Sequence, residues 1–129
     1  MAALSHWSEQ YVGLPYAVAD CAALAAKVQL EVFGAVIKIP EARAGNVRAL
    51  SEQIIAAQTE VATPIAQPVE GCAVLMMGRG RLNHVGVFTC INGIDYVLHA
   101  MRSAKQTVLH KICDLPKQGL TLEGYYRWN

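Results

Sequence analysis

Charge is scarce in this chain. Asp, Glu, Lys and Arg make up 16% of its 129 residues, where soluble domains usually carry about 25%. The 11 basic and 10 acidic side chains nearly cancel, leaving a formal net charge of +1. Such a chain has no broad basic field with which to hold nucleic acid, and no nucleic-acid partner is expected. Long apolar runs are missing too. Pro and Gly interrupt the charge-free stretches before they reach the roughly 20 residues of a membrane helix, so no membrane insertion is expected. The opening Met1-Ala2-Ala3-Leu4-Ser5-His6-Trp7 lacks the basic and apolar regions of a secretory signal. Synthesis in the cytoplasm is expected, with delivery to any outside target by other means. There is no C-x-x-C pair, no internal repeat and no low-complexity tract. Cys21, Cys72, Cys90 and Cys113 are scattered, which argues against a structural zinc site and a disulfide framework. Each is by default a small buried hydrophobe, and neither a metal nor another cofactor is expected.

What the chain does have is apolar mass. Hydrophobic residues make up 53%, which excludes disorder driven by low hydrophobicity and high charge. The length suits one domain over 1–129, large enough to bury a core.

The first third reads as helical. Trp7, Tyr11 and Val12 line a short helix that Gly13-Leu14-Pro15 stops. Asp20 stands at an N-cap position before a run of good helix formers from Cys21 to Phe33, and Gly34 closes it. Leu24, Val28 and Val32 recur at four-residue spacing and form a buried stripe. Asn46 caps a second helix over 47–58, with Val47, Leu50 and Ile54 inward. Pro64 and Pro68 mark a crossing to the second half. There the period shortens. Apolar runs at 72–77, 84–90, 96–100, 107–112 and 122–128 predict about five strands, with Asn92-Gly93 as a hairpin turn. Helices followed by an antiparallel meander define an α+β fold.

Cysteine chemistry requires a thiolate, a base and a group that orients the base. A helix N-terminus favours the thiolate through its exposed N–H groups and dipole, and Cys21 is the cysteine at a predicted helix start. His84 and His99 flank the Asn92-Gly93 turn. If their strands pair across it, both sit at one end of the ribbon and strand alternation can turn them to one face. His84 is then a candidate base and His99 its orienting partner. His6 and His110 read as surface positions, Cys72 and Cys90 as core, and Cys113 as part of a turn.

Taken together, these motifs resemble a known family. Tyr11-Val12-Gly13-Leu14-Pro15-Tyr16, Asp20-Cys21 and the helix ending in Phe33-Gly34 look like the opening of NlpC-type cell-wall cysteine peptidases, most of all the small phage-tail-associated ones. Pro68-Val69-Glu70-Gly71-Cys72-Ala73-Val74-Leu75, Asn83-His84-Val85-Gly86-Val87-Phe88, Leu98-His99-Ala100 and Gly124-Tyr125-Tyr126-Arg127 continue the match in order. The chain departs from the family pattern at Ala17-Val18-Ala19, at Ala22-Ala23 and at Cys72.

The resemblance implies a papain-like cysteine peptidase fold, with N-terminal helices packed on an antiparallel sheet. It implies a nucleophile at Cys21, a base at His84 and an orienting residue at His99. Tyr16, Asp20 and Asn83 fall where substrate-binding residues are expected. The implied activity is hydrolysis of amide bonds in peptidoglycan stem peptides, in a phage or prophage tail setting, with tail proteins as partners and a tail particle as the route to the cell wall. Three other readings stand beside it. One is an amidase or acyltransferase of the same fold. Another is a tail-assembly protein without chemistry. The least favoured is a metal site built from Cys72, Cys90, His84 and His99, whose spacing matches no common metal motif.

Overall fold

Asp20 opens a 13-residue helix. Its carboxylate accepts a hydrogen bond from the backbone N–H of Ala23 at 2.9 Å, which satisfies one of the donors a helix start leaves over. The helix, α1, runs Cys21–Phe33 and closes at Gly34, where the N–H of Ala35 donates back to the carbonyl of Gln29. The computed structural model describes residues 6–18, 20–36, 62–78 and 81–128, with backbone alone for Ala22 and 81–83. The helix expected over 47–58 lies outside the described residues.

Among the described residues six strands follow: β1 (Ala62–Ile65), β2 (Ala73–Gly78), β3 (Arg81–Ile91), β4 (Ile94–Met101), β5 (Gln106–Lys111) and β6 (Leu120–Trp128). They form one antiparallel sheet in the order β1-β6-β2-β3-β4-β5. The α+β class expected from the sequence is therefore correct, and the count of about five strands is one short. The additional strand is β1, in the segment where Pro64 and Pro68 predict a crossing. Pro64 sits opposite Tyr126 in an edge strand, where a residue without an N–H can be accommodated. Nor is the sheet a plain meander. After β5 the chain returns to place β6 beside β2.

The Asn92-Gly93 turn joins β3 to β4 as expected. Both residues have positive φ, 52° and 78°, the backbone that a two-residue hairpin of matching twist requires. The expected N-terminal helix is a single 3-10 turn, Trp7–Gln10, capped by the His6 ring accepting from the N–H of Ser8. Val12 does not line it and is exposed.

The sheet separates two cores. On one face, Leu24, Ala25 and Val28 of α1 pack against Ala73, Leu75, Val85, Val87, Leu98 and Ala100. On the other, Cys72, Val74, Met76, Phe88 and Val97 are covered by Leu115, from the 3-10 segment Ile112–Gln118. Alternation along each strand divides these sets. Cys72 is buried, as expected. Cys90 is not core, because it ends a strand beyond the covered part of the sheet and is exposed; Cys113 is also exposed, within the 3-10 segment.

The far end of α1 is tied down by polar contacts. Gln29 Nε2 donates to the carbonyl of Gly71 at 2.7 Å. The neighbouring Glu70 carboxylate accepts from Trp7 Nε1, Thr89 Oγ1 and the backbone N–H of Cys90. The start of the helix lies at the opposite end of the strands. The segment before it is held beside the beginning of β5, where Gly13 N donates to Thr107 O and Tyr16 N donates to Lys105 O.

Candidate active site

His84 and His99 meet. His84 Nε2 lies 2.6 Å from His99 Nδ1, with the rings edge to face at 83°. The register explains the contact. Val87 pairs with Leu98, so continuing the ladder brings His84 and His99 to one end of the hairpin. Alternation then turns His99 to the face away from Leu98 and Ala100, toward Gly86. Gly86 is what lets the strands close here. A Cβ at that position would stand 2.5 Å from Val97 Cγ2 and 3.1 Å from His99 Cβ. Just before His84 the register shifts, with Met76 opposite His84 but Met77 opposite Leu82. Asn83 is the extra residue, and such a bulge bends the strand and re-aims its neighbours.

A third imidazole joins them. His99 Nε2 lies 2.9 Å from His110 Nδ1. His110 is partly buried, not a surface position as the sequence reading has it. The reason is the second hairpin, whose register pairs Val97 with His110 and His99 with Val108. That puts His110 on the same face as His99, one strand further along. His6 is also engaged, capping the first 3-10 turn and bonding Thr89 Oγ1 at 3.1 Å.

Burial dominates the electrostatics of this trio. It pushes the imidazole of His84 down from 6.5 to about 4. His99, fully buried, is pushed well below its ordinary value by desolvation first and then by its two histidine neighbours. His110 is lowered by burial and partly restored by the negative charge of Asp114. At neutral pH all three rings are uncharged.

Cys21 is the first residue of α1 and is buried, with 1% of its surface accessible. It packs in the core cluster on the helix side of the sheet. Tyr16 is its neighbour. Burial, reinforced by the charges of Cys21 and Asp20, raises the Tyr16 phenol to about 12, so its O–H stays on as a donor. Tyr16 is tied through its own N–H to Lys105. Cys21 therefore belongs to the end of the sheet that carries His84, while the histidine chain extends over the opposite face. Asp20, expected as the N-cap and beside the substrate, caps the helix through Ala23 N. The side chain of Asn83 lies outside the described residues.

Among the described residues no group of three or more His, Cys, Asp or Glu side chains is arranged to hold a metal ion. The three histidines do not converge on one point, because His99 turns opposite ring nitrogens toward its two partners. Among the described residues no helix is long and apolar enough to cross a membrane. No family model matches the chain, and neither a curated protein nor a solved structure matches it.

Proposed function

We propose that this chain is a thiol-dependent amide hydrolase of papain-like architecture, a cysteine peptidase that cleaves peptidoglycan stem peptides. The observation that carries the reading is the direct His84–His99 hydrogen bond at the end of the sheet where α1 begins with Cys21. A base needs a partner that fixes its ring and tautomer, and His99 supplies one from a rigid neighbouring strand. The ordered likeness to NlpC-type peptidases adds the substrate class and the phage-tail setting.

In the reaction, neutral His84, which shares the Met76 face while Cys21 lies on the helix face, takes the Cys21 proton across the end of the sheet on Nδ1, the ring nitrogen not bonded to His99, as sulfur attacks the amide carbonyl. The low basicity of His84 favours a neutral resting pair over a preformed ion pair, so the proton moves during attack. The backbone N–H of Cys21 in the first turn of α1 is one oxyanion donor, and the Tyr16 hydroxyl is a second. Each such donor is worth about 3–4 kcal/mol where it has been removed from other enzymes. Protonated His84 then gives its proton to the leaving amine, and water hydrolyses the thioester with His84 again as base.

The burial of Cys21 favours a second reading, a tail component whose cysteine is only packing. Mass spectrometry after incubation with stem peptide separates the two. An acyl adduct on Cys21 whose mass names the acyl fragment supports the peptidase. An inert Cys21 that also resists iodoacetamide near neutral pH supports the packing role.

A further inference from the structure

His84, His99 and His110 form one hydrogen-bonded line across three adjacent strands, nitrogen to nitrogen, at 2.6 and 2.9 Å. Each link needs one N–H and one lone pair. Because all three rings are neutral, only two proton arrangements satisfy both links. In the first, His84 Nε2–H donates to His99 Nδ1 and His99 Nε2–H donates to His110 Nδ1, so every ring carries its proton on Nε2. In the second, every donor is reversed and every ring carries its proton on Nδ1. The two differ at the end that matters. The first leaves a lone pair on His84 Nδ1, able to accept a proton. The second places a proton there and removes the base.

We infer that His110 is a positioning residue that selects the first arrangement, accepting from His99 and thereby keeping His84 Nδ1 open as the proton acceptor. The inference rests on His84 being the base proposed above. Three features support it. The Nε2–H form is the intrinsically preferred tautomer of neutral imidazole, and the first arrangement gives that form to all three rings. His110, like His84 at the other end of the line, is partly exposed, so in the first arrangement water can accept from its outer Nε2–H. His99 is fully buried, and a buried N–H without an acceptor is rarely tolerated. Removing the His110 acceptor therefore pushes the His99 proton to Nδ1, where His84 Nε2 can receive it. The His84 proton then moves to Nδ1. The effect passes through two hydrogen bonds without His110 touching substrate.

Two-bond ¹H–¹⁵N correlation on the histidine-labelled protein at neutral pH reads each tautomer directly. We expect Nε2–H at His84, His99 and His110 in the wild type. In His110→Leu we expect Nδ1–H signals at His99 and His84. In His110→Asn, whose side-chain oxygen stands where Nδ1 stood, we expect the wild-type pattern. A wild-type His84 carrying its proton on Nδ1 overturns the inference without any variant. So does a wild-type pattern that persists in His110→Leu. In stem-peptide hydrolysis we expect His110→Leu to lower kcat roughly 10- to 100-fold with KM unchanged, less than the roughly 10²–10⁴ a general base contributes, and His110→Asn to restore most of it. If no form hydrolyses stem peptide, the proposed function fails, while the tautomer pattern still decides the role of His110.

Discussion

His84 Nε2 and His99 Nδ1 stand 2.6 Å apart on adjacent antiparallel strands, at the end of the hairpin away from its Asn92-Gly93 turn. Each ring fixes the other, and the contact depends on how closely β3 and β4 approach.

Gly86 controls that approach. A methyl group there would collide with Val97 Cγ2 at 2.5 Å, with the carbonyl of Leu98 at 2.9 Å and with His99 Cβ at 3.1 Å. Backbone cannot give way as a flexible side chain does. Gly86→Ala should destabilise the fold by roughly 1–3 kcal/mol, the usual range for overpacking, and should displace His99. Urea unfolding measures the first effect, and loss of the His84–His99 link in the imidazole spectrum measures the second. A variant with wild-type stability and an intact link would show that the strands are further apart than described.

The buried imidazoles make stability fall with acid. In the unfolded chain each histidine binds a proton near pH 6.5, whereas folded His84 does so only near 4 and folded His99 lower still. Their contribution is full above about pH 6.5 and is lost as pH drops below it, at about 1.4 kcal/mol per pH unit for each ring. For His84 this loss ends near pH 4. Glu31, whose carboxyl is held low by hydrogen bonds from Lys27 and Tyr11, acts with the same sign at lower pH. Tm should decline from pH 7 to pH 5, with proton uptake by this pair on unfolding rising toward about two at pH 5. A flat Tm over that window would contradict the burial of the pair.

Asp20 should prove to be a cap. Its carboxylate accepts from Ala23 N at 2.9 Å. Asp20→Ala should cost about 1 kcal/mol, within the roughly 0.5–2 kcal/mol typical of lost N-caps, whereas Asp20→Asn should cost little. Chemical denaturation gives the stabilities. If Asp20 instead bound substrate through its charge, Asp20→Asn would keep stability but raise KM.

The sequence exposed the local devices well. The Asp20 cap, the stripe of α1 and the Asn92-Gly93 turn each depend on residues near one another in the chain, and each is where the pattern put it. The meeting of His84 and His99 was legible because one short turn fixes their register. His110 was not, since its place depends on a second register across the turn at 102–105, where Met101 pairs with Gln106. Counting back from that pair would have aligned it with Val97 and set it on the histidine face. Strand β1 was hidden because its proline signals a breaker, and only the return of β6 to the sheet supplies a partner that makes an edge strand of it. The exposure of Cys90 likewise depends on how far the covering segment reaches, which no local pattern records.

The central claim is that Cys21 is the nucleophile and His84 its base. Release of stem-peptide fragments from purified peptidoglycan, followed by mass spectrometry with wild type, Cys21→Ala and His84→Ala, tests it most directly. The account predicts fragment release by the wild type, background levels with Cys21→Ala, and a loss of roughly 10²–10⁴-fold with His84→Ala. Undiminished release by Cys21→Ala would contradict it.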